Sequence, residues 1–121
     1  YQFLGGIRMD KKYLEVEGKK NPMEFNLNVM EVIQDEYGTV DKWGELTEGE
    51  NGEPNIKALV FGLTAMINEG LEIEAEDKGK DFKPLTHKQV ARLLTKVGLE
   101  EATKQLTTVV TDSTKSDEKN A

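Results

Sequence analysis

The chain contains no cysteine and a single histidine, His87. The first absence removes disulfide staples and thiolate metal sites, the usual props of small secreted domains, and it suits a reducing compartment. The second leaves no spare imidazole for acid–base work. His87 itself stands in Thr86-His87-Lys88-Gln89, where a threonine followed three residues later by glutamine reads as a capping box. The imidazole then falls in the first turn of a helix, whose dipole disfavours its protonated form. Long apolar runs are missing too. None approaches the roughly 18 residues of a membrane span, and Tyr1-Gln2-Phe3-Leu4-Gly5-Gly6 lacks the length and flanks of a signal peptide. The expectation is a soluble protein of the cytoplasm. Positive charge is in deficit, with 16 Lys and Arg against 23 Asp and Glu and a formal net charge of −7. Such a balance opposes attraction to phosphate backbones, so no nucleic-acid partner is expected and a basic protein fits better. Lys12, Lys19, Lys20, Lys78, Lys80 and Lys88 are scattered among the acids, the ordinary pattern of a solvated surface.

Motifs that carry chemistry are equally scarce. There is no Gly-x-Ser-x-Gly elbow, and a nucleophile, base and orienting acid cannot be assembled from one histidine at a helix start. The glycines between Gly44 and Gly52, and Gly79-Lys80, lack the Gly-Lys-Ser/Thr ending of a phosphate loop and are surrounded by acids. Glu45, Glu48, Glu50 and Glu53 do not match the ligand spacing of a calcium loop. No catalytic, cofactor-binding or metal-ligating residue is assigned, and the expectation is a protein that works by binding.

Patterning is what the chain has in abundance. Lys12 to Glu17 alternates, with Leu14 and Val16 on one face, as a half-buried strand does. Met23, Phe25 and Leu27 repeat that period, and Gly18-Lys19-Lys20-Asn21-Pro22 between them reads as a hairpin loop. Ile7 and Met9 are candidates to extend the first strand. Asn26 is a favourable N-cap, after which Val29, Met30, Ile33 and Tyr37 recur at helical spacing until Gly38. Thr39 to Asn55 reads as an irregular connection with one short turn around Asp41 to Leu46, anchored by Trp43. Ile56, Leu59, Val60, Leu63, Met66 and Ile67 then form the best stripe in the chain, ending near Gly70. Ala58, Phe61 and Ala65 lie across from it, so this second helix is expected to be central and buried on two sides. Leu71 to Ala75 alternates like a short strand, and Glu76 to Lys83 reads as a solvated loop. After the capping box, Val90, Leu93, Leu94 and Val97 share a face up to Gly98. A last helix points Leu99, Ala102, Leu106, Val109 and Val110 inward and pairs Glu100 with Lys104.

A chain of 121 residues closes around one core, with a radius of gyration of about 14 Å. Residues 1–9 are read as an N-terminal extension, native or left by cloning. Residues 10–110 form the domain, and 111–121, which hold no large apolar residue, form a disordered polar tail. The fold class is α+β, a small N-terminal β-hairpin packed against a cluster of about four α-helices. Trp43, Phe61 and Phe82 stand outside the clean stripes. Each is a candidate anchor for a partner, with packing in core or loop as the plainer role.

In this order of elements the chain resembles the tail assembly chaperones of long-tailed bacteriophages and prophages. The resemblance runs through Tyr13-Leu14-Glu15-Val16, Met23-Glu24-Phe25, Asn28-Val29-Met30-Glu31-Val32-Ile33 with Tyr37-Gly38, Ala58-Leu59-Val60-Phe61-Gly62-Leu63, and Leu85-Thr86-His87-Lys88-Gln89-Val90. It spans about residues 10 to 110 and carries no functional residue onto a numbered position, because that family is recognised by pattern. It implies a non-catalytic protein of the host-cell cytoplasm that engages the helical tape-measure protein while tail-tube subunits polymerise, with the tail-tube protein as a further candidate partner. It also implies absence from the finished virion, and in related genes a longer frameshifted product. Self-association is left open. Two other readings stand beside it: a structural or adapter subunit that persists in a particle, and an acidic inhibitor imitating DNA, against which the interleaved lysines argue.

Overall fold

The structure, a computed structural model, describes residues 12–49 and 53–120, with side chains through Ser113. The expected extension over residues 1–9 lies outside the described residues. The fold is α+β. An N-terminal hairpin, β1 (Lys12–Val16) and β2 (Lys19–Met23), packs against five helices: α1 (Leu27–Tyr37), α2 (Val40–Glu48), α3 (Ile56–Lys78), α4 (His87–Val97) and α5 (Leu99–Asn120).

The hairpin is tighter than its sequence suggests. Glu17 and Gly18 both take positive φ, 51° and 82°, as the central residues of a two-residue type I′ turn must. The strands then pair antiparallel from Val16↔Lys19 to Lys12↔Met23. Lys19 to Pro22, read as loop, is therefore strand. Asn21 faces Leu14 and is buried, its Nδ2 donating to the Leu14 carbonyl at 3.1 Å. Phe25 and Leu27, read as a continuation of the second strand, do other things. Phe25 enters the core and stacks on Trp43 with ring centroids 6.1 Å apart, while Leu27 opens α1 and stays 79% exposed.

The helix ends follow local chemistry. Asn26 caps α1 through Val29 N–H at 3.2 Å. Thr86 and Gln89 complete the capping box of α4 in both directions, at 3.1 and 2.8 Å. Gly38, Gly79 and Gly98 close α1, α3 and α4 at positive φ, which only a residue without Cβ adopts freely.

Two glycines inside α3 act differently, and they explain the main departures from the sequence reading. The segment Thr39 to Asn55 contains a full helix, α2, capped by Thr39 accepting from Lys42 N–H at 2.9 Å. It forms because Val40, Trp43 and Thr47 share a helical face that α3 can cover. Trp43 is 1% exposed and donates Nε1–H to the Ala58 carbonyl at 3.0 Å. Its ring lies where a Cβ on Gly62 would stand. Gly70 does not end α3 either. A Cβ there would come within 2.9 Å of Pro22, so this glycine lets β2 lie against the helix backbone, where Glu24 N–H donates to the Met66 carbonyl at 3.1 Å. The run Leu71 to Ala75, read as a short strand, is thus part of the fifth and sixth turns of a helix that stops at Gly79.

α3 is the central element, touching β2, α1, α2 and α4. It buries Leu59, Val60, Leu63, Met66 and Ile67 on one side and Ala58 and Gly62 beneath the indole on another. Val90, Leu94, Ala102, Leu106 and Val109 complete the core from α4 and α5. α5 continues as helix through Asn120, across the stretch whose composition predicts a tail, and Asp112 pairs with Lys12 of β1 at 2.9 Å. With both partners more than a third exposed, that pair stabilises the end of α5 by at most about 1 kcal/mol. Among the described residues no helix is long and apolar enough to cross a membrane.

Candidate partner-binding groove

The three aromatic candidates occupy different surroundings. Trp43 is core, and its indole presents no surface to a partner. Phe61 is half-buried on α3 and meets Tyr37 edge to face, with centroids 5.4 Å apart. The Tyr37 hydroxyl is buried there without a hydrogen-bond partner. Burial first, and the neighbouring Glu36 charge second, push its phenol above the ordinary value of 10.0. Phe82 is 37% exposed in the segment between α3 and α4. That segment is held in place by Asn68, whose side chain donates to the Leu85 carbonyl at 2.9 Å and accepts from Leu85 N–H at 2.8 Å. His87 lies exposed in the first turn of α4.

Two residues that periodicity assigns to the core lie instead at the surface. Ile56 and Leu99, the first residues of α3 and α5, are 50% and 43% exposed. Their positions are set by caps. Asn55 accepts from Ala58 N–H at 2.9 Å, and its own N–H donates to the Leu46 carbonyl at 2.8 Å, which fixes the entry into α3. Gly98 ends α4 by donating to the Leu94 carbonyl at 2.7 Å and starts α5 by accepting from Ala102 N–H at 3.0 Å. A single residue separates the two helices, so Leu99 sits at the turn itself, at the outer end of the stripe that Ala102, Leu106 and Val109 continue inward.

Together these residues line an open groove of about 780 Å³. It is lined by Pro54 and Ile56 at the start of α3 and by Leu99 and Thr103 of α5, together with Glu48, Glu53, Glu100 and Lys104. No family model, curated protein or solved structure matches the chain. The expected Glu100–Lys104 ion pair is not formed, and Glu101 instead accepts from Gln105 at 2.9 Å. The groove thus offers apolar walls and unpaired charges, a combination suited to holding another surface. The sequence signal for it existed: both exposed residues open a stripe immediately after a capping position, where a helical face has not yet turned toward its neighbour.

Proposed function

We propose that this protein is a non-catalytic tail assembly chaperone, which holds a phage tape-measure protein during tail assembly and works by covering apolar helical surface. The observation that carries this reading is the groove with Ile56 and Leu99 exposed in its lining. A tape-measure segment that displays apolar helical stripes aggregates unless they are covered, and an open apolar groove covers them by receiving a helix. The hairpin followed by helices agrees with the order of elements on which the resemblance to that family rests. The net charge of −7 keeps the chaperone and its complexes apart in solution.

The test is co-production with a tape-measure fragment from the same phage or prophage. Suppression of that fragment's light scattering, with recovery of both chains on one affinity column, is the expected result. Unchanged scattering and an empty pull-down would refute the assignment. Mass spectrometry of purified particles separates it from a structural subunit, since a chaperone is absent from finished virions.

A further inference from the structure

The charges around the groove are lopsided. Glu48, Glu53 and Glu100 approach it from three elements, the end of α2, the segment before α3 and the start of α5, while Lys104 is the one cation among its lining residues. Among the described residues no ion pair engages any of the three carboxylates. Like charges lining one groove repel one another, and a partner that brings cations into it is attracted by them.

We infer that the groove receives one amphipathic helix of a partner protein, with an apolar stripe against Ile56 and Leu99 and lysine or arginine beside the stripe to meet Glu48, Glu53 and Glu100. This deepens the chaperone reading by naming the partner chemistry, and rests on it only for which protein supplies the helix. A nucleic acid is turned away by the same carboxylates, and an acidic helix finds only Lys104.

The experiment uses the full chain and synthetic helical peptides of about five turns. One carries leucines at i, i+3, i+4 and i+7 with flanking lysines, a second replaces the lysines with glutamates, and a third scrambles the stripe at constant composition. Fluorescence anisotropy should show the first binding at least tenfold more tightly than either control, with affinity falling as salt rises. Amide chemical-shift changes should centre on Ile56, Leu99 and Thr103. The pair Ile56→Ser and Leu99→Ser, and separately Glu48→Lys with Glu53→Lys and Glu100→Lys, should each weaken binding at least tenfold while circular dichroism and the thermal midpoint stay unchanged. Leu27→Ser, exposed elsewhere, should leave affinity unchanged. Equal binding of the scrambled peptide, or shifts that centre away from the groove, overturns the inference. If wild type suppresses aggregation of a tape-measure fragment and the serine pair does so equally well, the groove is not the site and the chaperone assignment stands. If the peptide binds in the groove but wild type leaves the fragment aggregating, the inference stands and the assignment falls.

Discussion

Replacing Gly62 with alanine should damage this protein although alanine is the better helix former. In an exposed helix that exchange stabilises by about 1 kcal/mol. Here a Cβ at position 62 would stand 2.7 Å from Trp43 Cε2 and 2.8 Å from Nε1, where comfortable carbon contacts are about 3.5–4.0 Å. The indole must retreat by roughly 1 Å, which a ring 1% exposed and stacked on Phe25 cannot do alone. Overpacking of this kind costs about 1–3 kcal/mol. The retreat also breaks the Nε1–H bond to Ala58 and leaves a buried donor bare, about 1–3 kcal/mol more. Against the helix gain the net loss is about 3 kcal/mol, a large share of the roughly 5–15 kcal/mol that holds a domain together. Urea unfolding of wild type and Gly62→Ala, followed by far-ultraviolet circular dichroism and by the single tryptophan's fluorescence, measures it directly. Adding Trp43→Leu should shrink the cost of Gly62→Ala by at least about 1 kcal/mol, because the two sites share one contact. If Gly62→Ala is neutral or stabilising in the wild-type background, the indole does not lie on that face of α3 and the account of α2 fails with it.

Three further outcomes follow from the polar contacts. Asn26→Asp keeps a good helix cap, yet it replaces the amide that donates to Glu69 Oε2 at 2.7 Å with a second carboxylate; the variant should lose about 1–2 kcal/mol at neutral pH, and thermal melts should show most of it recovered by adding Glu69→Gln. Asn68→Ala removes both bonds to the Leu85 backbone, so a loss of about 1–3 kcal/mol is expected, with amide hydrogen exchange accelerating at Leu85 and through the segment that carries Phe82. Tyr37→Phe deletes a buried hydroxyl that bonds to nothing, so stability at pH 7 should hold or rise slightly. The phenol's raised pKa gives the sign at high pH: below the ordinary value of 10.0 both states are protonated, and above it the unfolded chain ionises first, so wild type loses stability there and the phenylalanine variant loses less. Denaturant midpoints between pH 8 and 11 in the two proteins test it, and identical pH dependence would refute the burial of that hydroxyl.

Short-range chemistry was legible in the residue order. Asn26, the Thr86–Gln89 box, Gly38 and Gly98 act within four positions of themselves, so their helices begin and end where the pattern places them. The stripe through Leu59, Leu63, Met66 and Ile67 likewise marks α3 as central, since that much apolar surface on one helix has to be covered. Other features depended on what arrives from far along the chain. Gly62 and Gly70 have the same side chain as the glycines that end helices, and only the approach of Trp43 and Pro22 makes them packing positions instead of stops. Pro22 belongs to a strand because a helix backbone with no Cβ lies beside it. Ile56 and Leu99 repeat the apolar period faithfully, but no neighbour fully covers the first residues of α3 and α5, and both line an open groove. Periodicity assigns a residue to a helix face; whether a neighbour covers that face is a matter of where the other helices come to rest.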